Sequence, residues 1–130
     1  MSDYYATSQK GRTPLSFQDM PPSLQAELND HYIASYPKEA VGLLLDNGST
    51  LRLKNWSRRH DRFLVGYWRI FRKLGWSGLR HGAGVMFIYH SHPVDAYPST
   101  DDLDFAQRLK PRWPKVQHMI FVPGTEFFYY

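Results

Sequence analysis

The chain has 130 residues, 42% of them hydrophobic and 16% aromatic, with no cysteine and a net charge of +4. This suffices for one ordinary domain and excludes a disordered tail, while the missing thiols exclude disulfides, thiolate metal sites and a cysteine nucleophile, leaving nitrogen and oxygen to hold any metal. The pI of about 9.4 admits an anionic partner, but Arg58, Arg59, Arg62, Arg69, Arg72, Lys73 and Arg80 are scattered without the pattern of a known nucleic-acid module, so dedicated nucleic-acid binding is not expected.

Residues 1–18 are polar and carry a Gly and a Pro, which predicts a flexible N-terminal arm; residues 19–130 then make a single domain. No apolar h-region precedes them, and the runs at 41–45 and 85–89 fall far below the roughly 20 residues of a membrane span. A cytoplasmic protein without a membrane anchor is expected.

A first helix starts near Pro21-Pro22-Ser23, where Pro suits the first turn, and presents Leu24, Leu28 and Tyr32 on one face until Pro37 ends it. Residues 40–46 form a nearly continuous apolar run, a buried strand. Asn47-Gly48 then predicts a hairpin, with Leu51 and Leu53 alternating on the returning strand. A polar loop over 55–61 and a short strand near 63–65 follow. Tyr67, Ile70, Phe71 and Leu74 repeat as i, i+3, i+4, i+7, an amphipathic helix with Arg69, Arg72 and Lys73 outward, broken up by Gly75, Gly78, Gly82 and Gly84.

Residues 85–89, aromatic and branched, predict a central strand running into His90. Ser99 caps a helix carrying Leu103, Ala106 and Leu109 that stops before Pro111. Residues 116–122, the Pro123-Gly124 turn and residues 125–130 complete a closing hairpin. The fold class is α+β, a mixed sheet with flanking helices in three layers.

The chemistry concentrates in His90-Ser91-His92-Pro93 and Ser99-Thr100-Asp101-Asp102. Two imidazoles separated by one residue point the same way on a strand, because strand side chains alternate. A carboxylate on the following helix can close a third corner. Two His and one Asp are a catalytic zinc's ligand set, with the fourth position left to water. Each fragment also has a structural explanation: Ser99-x-x-Asp102 is close to a capping box, and a lone Glu39 before a strand is an ordinary solvated charge. Among the remaining histidines, His31, His60, His81 and His118 have no spaced partner and are expected to be structural or exposed. Of the aromatic residues in the middle of the chain, Trp56, Tyr67, Trp68 and Trp113 read as packing residues, and Trp76 in a Gly-rich stretch is a candidate for lining a substrate groove.

Taken together, Glu39-x-x-Gly42-Leu43-Leu44, then His90-Ser91-His92-Pro93, then Pro98-Ser99-x-x-Asp102, in that order, resemble the JAMM, or MPN, metallopeptidase family over about residues 24–130. The resemblance implies an MPN fold, a cytidine-deaminase-like three-layer domain, of the prokaryotic or phage JAB type. It implies zinc held by His90, His92 and Asp102, with Glu39 as the general base and Ser99 donating to the oxyanion. Ser99 as cap and Ser99 as donor stay open alternatives. Gly42 would let neighbouring strands approach closely. Asp101 points about 100° away from Asp102 around a helix and is the lesser candidate; Asp95 in the loop is either a substrate-facing acid or, the better reading, a solvated turn residue, and Asp104 lies on the outer face of the helix.

Six residues, Pro93 to Pro98, separate His92 from Ser99 where the family pattern has seven. The implied substrates are peptides or proteins, such as ubiquitin-like proteins or sulfur carriers. Two other classes remain: a catalytically inactive MPN scaffold, as in phage tail assembly, and a RadC-like DNA-associated protein, whose His-Asn-His-Pro turn differs at Ser91. Neither substrate identity nor oligomeric state follows from the sequence.

Overall fold

A computed structural model describes residues 13–55 and 68–130. In chain order the elements are β1 (Leu15–Ser16), a 3-10 turn (Phe17–Asp19), α1 (Pro22–Ser35), β2 (Val41–Leu45), β3 (Thr50–Leu53), α2 (Trp68–His81), β4 (Val85–Ser91), α3 (Thr100–Leu109), β5 (Gln117–Val122) and β6 (Glu126–Tyr129). They form one mixed sheet in the order β1-β6-β5-β4-β2-β3. Only β4 and β5 run parallel; every other pair is antiparallel. This is the α+β architecture expected.

Strand alternation sorts the core onto two faces. On one, Tyr89, Met119 and Phe121 pack with Phe17, Met20 and Leu28, the last from α1. On the other, Val41, Leu43 and Ile88 pack with Ile70 of α2, Leu109 of α3 and Trp113. Helices therefore cover both faces, and the sheet is the middle of three layers.

Antiparallel neighbours can be joined by a tight turn, as β2 and β3 are at Asn47-Gly48, but a parallel pair needs a crossover. Here α3 is that crossover. The chain leaves the carboxyl end of β4 and must travel back before entering β5, so the start of α3 sits over the end of β4. Ligands of open sheets gather at such strand ends.

Two expectations change. The arm does not extend through residue 18: Leu15 and Ser16 pair with Phe127 and Glu126, and Phe17 is buried under α1. Pairing supplies the backbone partners that polarity alone could not forecast, so the folded part starts before residue 19. Among the glycines only Gly78 departs from expectation, by staying within the helix: Gly75 kinks it at φ 74° and ψ −166° before it resumes as far as His81, and Gly82 and Gly84 follow its end at φ 70° and 83°; glycine takes such a positive φ without strain. Residues 1–12, the 55–61 loop beyond Asn55 and the expected 63–65 strand, with Trp56, Arg58, Arg59, His60, Arg62 and Tyr67, lie outside the described residues, as does the side chain of Trp68.

Gly42 has a steric reason. It lies opposite Tyr89 in the β2–β4 pair, and a Cβ there would be 2.3 Å from the Tyr89 hydroxyl oxygen. That hydroxyl is 2.7 Å from His31 Nδ1, a buried hydrogen bond tying α1 to the sheet. His31 is thus structural. Among the described residues, no helix is long and apolar enough to cross a membrane.

Candidate metal centre

The register of β2 against β4 builds half of the site. Val41 pairs with His90, so two residues further out Glu39 stands opposite His92, on the same face as both imidazoles. Two side chains fasten this corner. The Ala40 N–H donates to Ser91 Oγ at 2.9 Å, while the Ser91 N–H donates to the Ala40 carbonyl at 2.9 Å. Asn55 Nδ2 donates to the Glu39 carbonyl at 3.0 Å. Ser91 points to the opposite face from its neighbouring histidines, which is why it can hold the Glu39 strand without entering the site.

The other half comes from the crossover. Ser99 is the N-cap of α3 and Asp102 its third residue, joined in a reciprocal capping box: the Asp102 N–H donates to Ser99 Oγ at 3.2 Å, and the Ser99 N–H to Asp102 Oδ2 at 2.9 Å. The same carboxylate reaches both imidazoles, with Oδ1 3.1 Å from His90 Nε2 and Oδ2 3.1 Å from His92 Nε2. Capping and site geometry are therefore compatible in one side chain. The six-residue loop brings Asp102 home despite its length. Ser99 Oγ accepts as a cap yet keeps its own O–H proton to donate elsewhere.

His90 Nε2 and His92 Nε2 are 3.2 Å apart. Ligand atoms of a tetrahedral zinc with bonds near 2.0–2.1 Å lie about 3.3 Å from one another, so the three short distances fit such an ion. Glu39, with its nearest oxygen 3.8 Å from His92 Nε2, belongs to the same compact group. Glu39, His90 and His92 together could hold a metal, all their ligand atoms lying within 4.8 Å of one another. Asp102 is nearer to both imidazoles, at 3.1 Å each, than Glu39 is to His92.

His92 Nδ1 lies 3.0 Å from the Asp95 carbonyl. A carbonyl can only accept, so Nδ1 carries the proton and the Nε2 lone pair is turned into the site. Asp95 thus contributes its backbone, a role its side-chain type could not signal, while its carboxylate accepts from the Tyr97 N–H. Asp101 and Asp104 are exposed, as expected.

The electrostatics are those of a buried mixed-charge cluster. Burial pushes the His90 pKa down, against the pull of Asp102, and the net shift is downward. Burial also works on His92, but hydrogen bonding and charge from Asp102, with Glu39 behind, raise it overall. Burial would raise Asp102; the neighbouring imidazoles outweigh it and hold the carboxyl well below its usual range.

His118 is buried on β5, its pKa lowered to about 4 chiefly by burial. Trp113 is core, its indole N–H donating to the Leu79 carbonyl at 3.0 Å. Trp76 is 61% exposed and lines an open groove at the far end of α3, not one beside the histidines.

Residues 21–128 match the family described as prokaryotic homologs of the JAB domain. A solution structure of a protein from Salinibacter ruber is similar at 22% identity and a TM-score of 0.43, covering 84% of this chain and 76% of that one. No curated protein matches the chain.

Proposed function

The chain belongs to the prokaryotic homologs of the JAB domain, and from that premise we propose that it is a zinc-dependent peptidase or isopeptidase acting on a peptide or protein substrate. The reading rests on one observation: a buried carboxylate and two imidazoles converge at 3.1–3.2 Å, with a second buried carboxylate 3.8 Å from one of them.

In this reading His90, His92 and Asp102 hold the ion. Zinc there supplies a Lewis acid that makes water a competent nucleophile near neutral pH and polarises the scissile carbonyl. Glu39 accepts the proton of the attacking water and passes it to the leaving amine. Ser91 and Asn55 hold the Glu39 backbone in register for that transfer. Ser99 keeps its cap bond from Asp102 and turns its O–H toward the developing oxyanion. Asp95 fixes the His92 tautomer.

Metal analysis by mass spectrometry tests the assignment. About one zinc per chain is expected in the purified protein, lost in His92→Ala. Glu39→Gln should keep zinc while abolishing hydrolysis of quenched-fluorescence peptides and of ubiquitin-like proteins with C-terminal extensions. Full activity in Glu39→Gln would refute the proton-transfer role. Zinc bound with no hydrolysis of any substrate would favour the inactive-scaffold reading.

A further inference from the structure

Outside the metal centre, the fold gathers charge that the sequence disperses. Helix α2 carries Arg69, Arg72, Lys73 and Arg80 and no Asp or Glu; residues 105–117 carry Arg108, Lys110, Arg112 and Lys115 and again no acid. The two stretches meet because the Trp113 indole bonds the Leu79 carbonyl. Between them lies an open groove of about 540 Å³, lined by Trp76, Leu79, Arg80, His81, Pro111 and Arg112. Trp76 is 61% exposed there, and both arginines are exposed. Among the described residues neither guanidinium makes an ion pair. A second hollow, formed by Leu51, Arg69, Arg72 and Lys73, continues the cationic surface along the earlier part of α2.

We propose that this groove binds single-stranded nucleic acid, with a base stacked on Trp76 and phosphates held by Arg80 and Arg112. An exposed indole between two guanidiniums combines the elements of a sequence-tolerant strand site, a π-surface for the base and a planar donor fork for the phosphate. The cores of protein–protein interfaces are depleted of charged residues, whereas nucleic-acid interfaces are strongly positive. Among the described residues, the linings of both hollows carry cationic side chains and no acid, with an indole between two guanidiniums, and match the second kind. A duplex keeps its bases stacked inside, so the indole selects a single strand. The groove is at the opposite end of α3 from the metal centre, about 15 Å away along a helix of ten residues. Its function is therefore separable from hydrolysis.

Fluorescence anisotropy with fluorescein-labelled dT15 and rU15 at 50 and 200 mM NaCl tests this. Binding of either strand is expected, weakening steeply with salt, with the tighter of the two setting the preferred sugar. Trp76→Ala should weaken it about tenfold, within the range of lost base–aromatic stacking, and Trp76→Phe should restore most of the loss. Arg80→Glu with Arg112→Glu should abolish binding at the higher salt while keeping the parent's metal content, which separates this groove from the metal centre. An unchanged melting temperature shows that each variant is folded. The proposal is overturned by no binding at 50 mM NaCl, by indifference to Trp76→Ala, by equal affinity for a duplex of the same length, or by a polyglutamate peptide binding as well as dT15.

Discussion

Gly42→Ala tests the packing that carries β4 into the site. The new Cβ would sit 2.3 Å from Tyr89 Oη, 2.5 Å from Cζ and 2.8 Å from the Leu51 carbonyl oxygen. Ordinary contact begins near 3.4 Å, so the hydroxyl must withdraw by about 1 Å, yet Tyr89 is fully buried. Overpacking of this kind costs about 1–3 kcal/mol. Withdrawal also breaks the 2.7 Å bond to His31, and leaving buried polar groups unpaired costs about 1–3 kcal/mol more. The expected loss is about 2–6 kcal/mol, a large share of an ordinary domain's stability. Urea unfolding monitored by circular dichroism measures it. A double-mutant cycle with Tyr89→Leu locates the cause: if the ring is the obstacle, the two changes together cost at least 1 kcal/mol less than their sum. Strict additivity would refute the steric account. Because Tyr89 precedes His90, Gly42→Ala should also weaken the proposed zinc binding, whereas relief by Tyr89→Leu should recover part of it.

Ser91→Ala leaves the buried Ala40 N–H without its side-chain acceptor and should cost about 1–3 kcal/mol in denaturant unfolding; a loss below about 0.5 kcal/mol would show the bond to be dispensable. Burial lowers the His31 pKa from 6.5 to about 4, so the unfolded chain binds its proton first. Stability from this group is complete above pH 6.5 and falls as pH drops toward 4, by about 3 kcal/mol at about 1.4 kcal/mol per pH unit. In His31→Gln the metal-free protein should lose that share of its pH dependence between 6.5 and 4; an unchanged slope would contradict it. His118, also lowered to about 4, acts with the same sign and persists in that variant.

Much of the candidate metal centre was legible in local pattern. His90 and His92 share a face because strands alternate, Ser99 and Asp102 are three apart as a capping box requires, and the absence of cysteine restricts the donors. The fold class followed from the same periodicities, with helices, hairpin and central strand in the expected order. Three contributors were not legible. Ser91 and Asn55 act through hydrogen bonds to a strand 16 to 51 residues away in sequence, and Asp95 acts through a carbonyl that every residue possesses.

By itself, the sequence determined which side chains were available as ligands and which neighbours in the chain would share a face, since those depend on backbone repeats of two and 3.6 residues. Tertiary structure decided the rest. The pairing of Val41 with His90 set Glu39 opposite His92, the crossover through α3 brought one carboxylate to both imidazoles, and β1 joined the sheet with Phe17 beneath α1. It also brought Trp76, Arg80 and Arg112 around one groove. Strand register and helix docking are fixed by contacts between distant segments, so no local window of residues contains them.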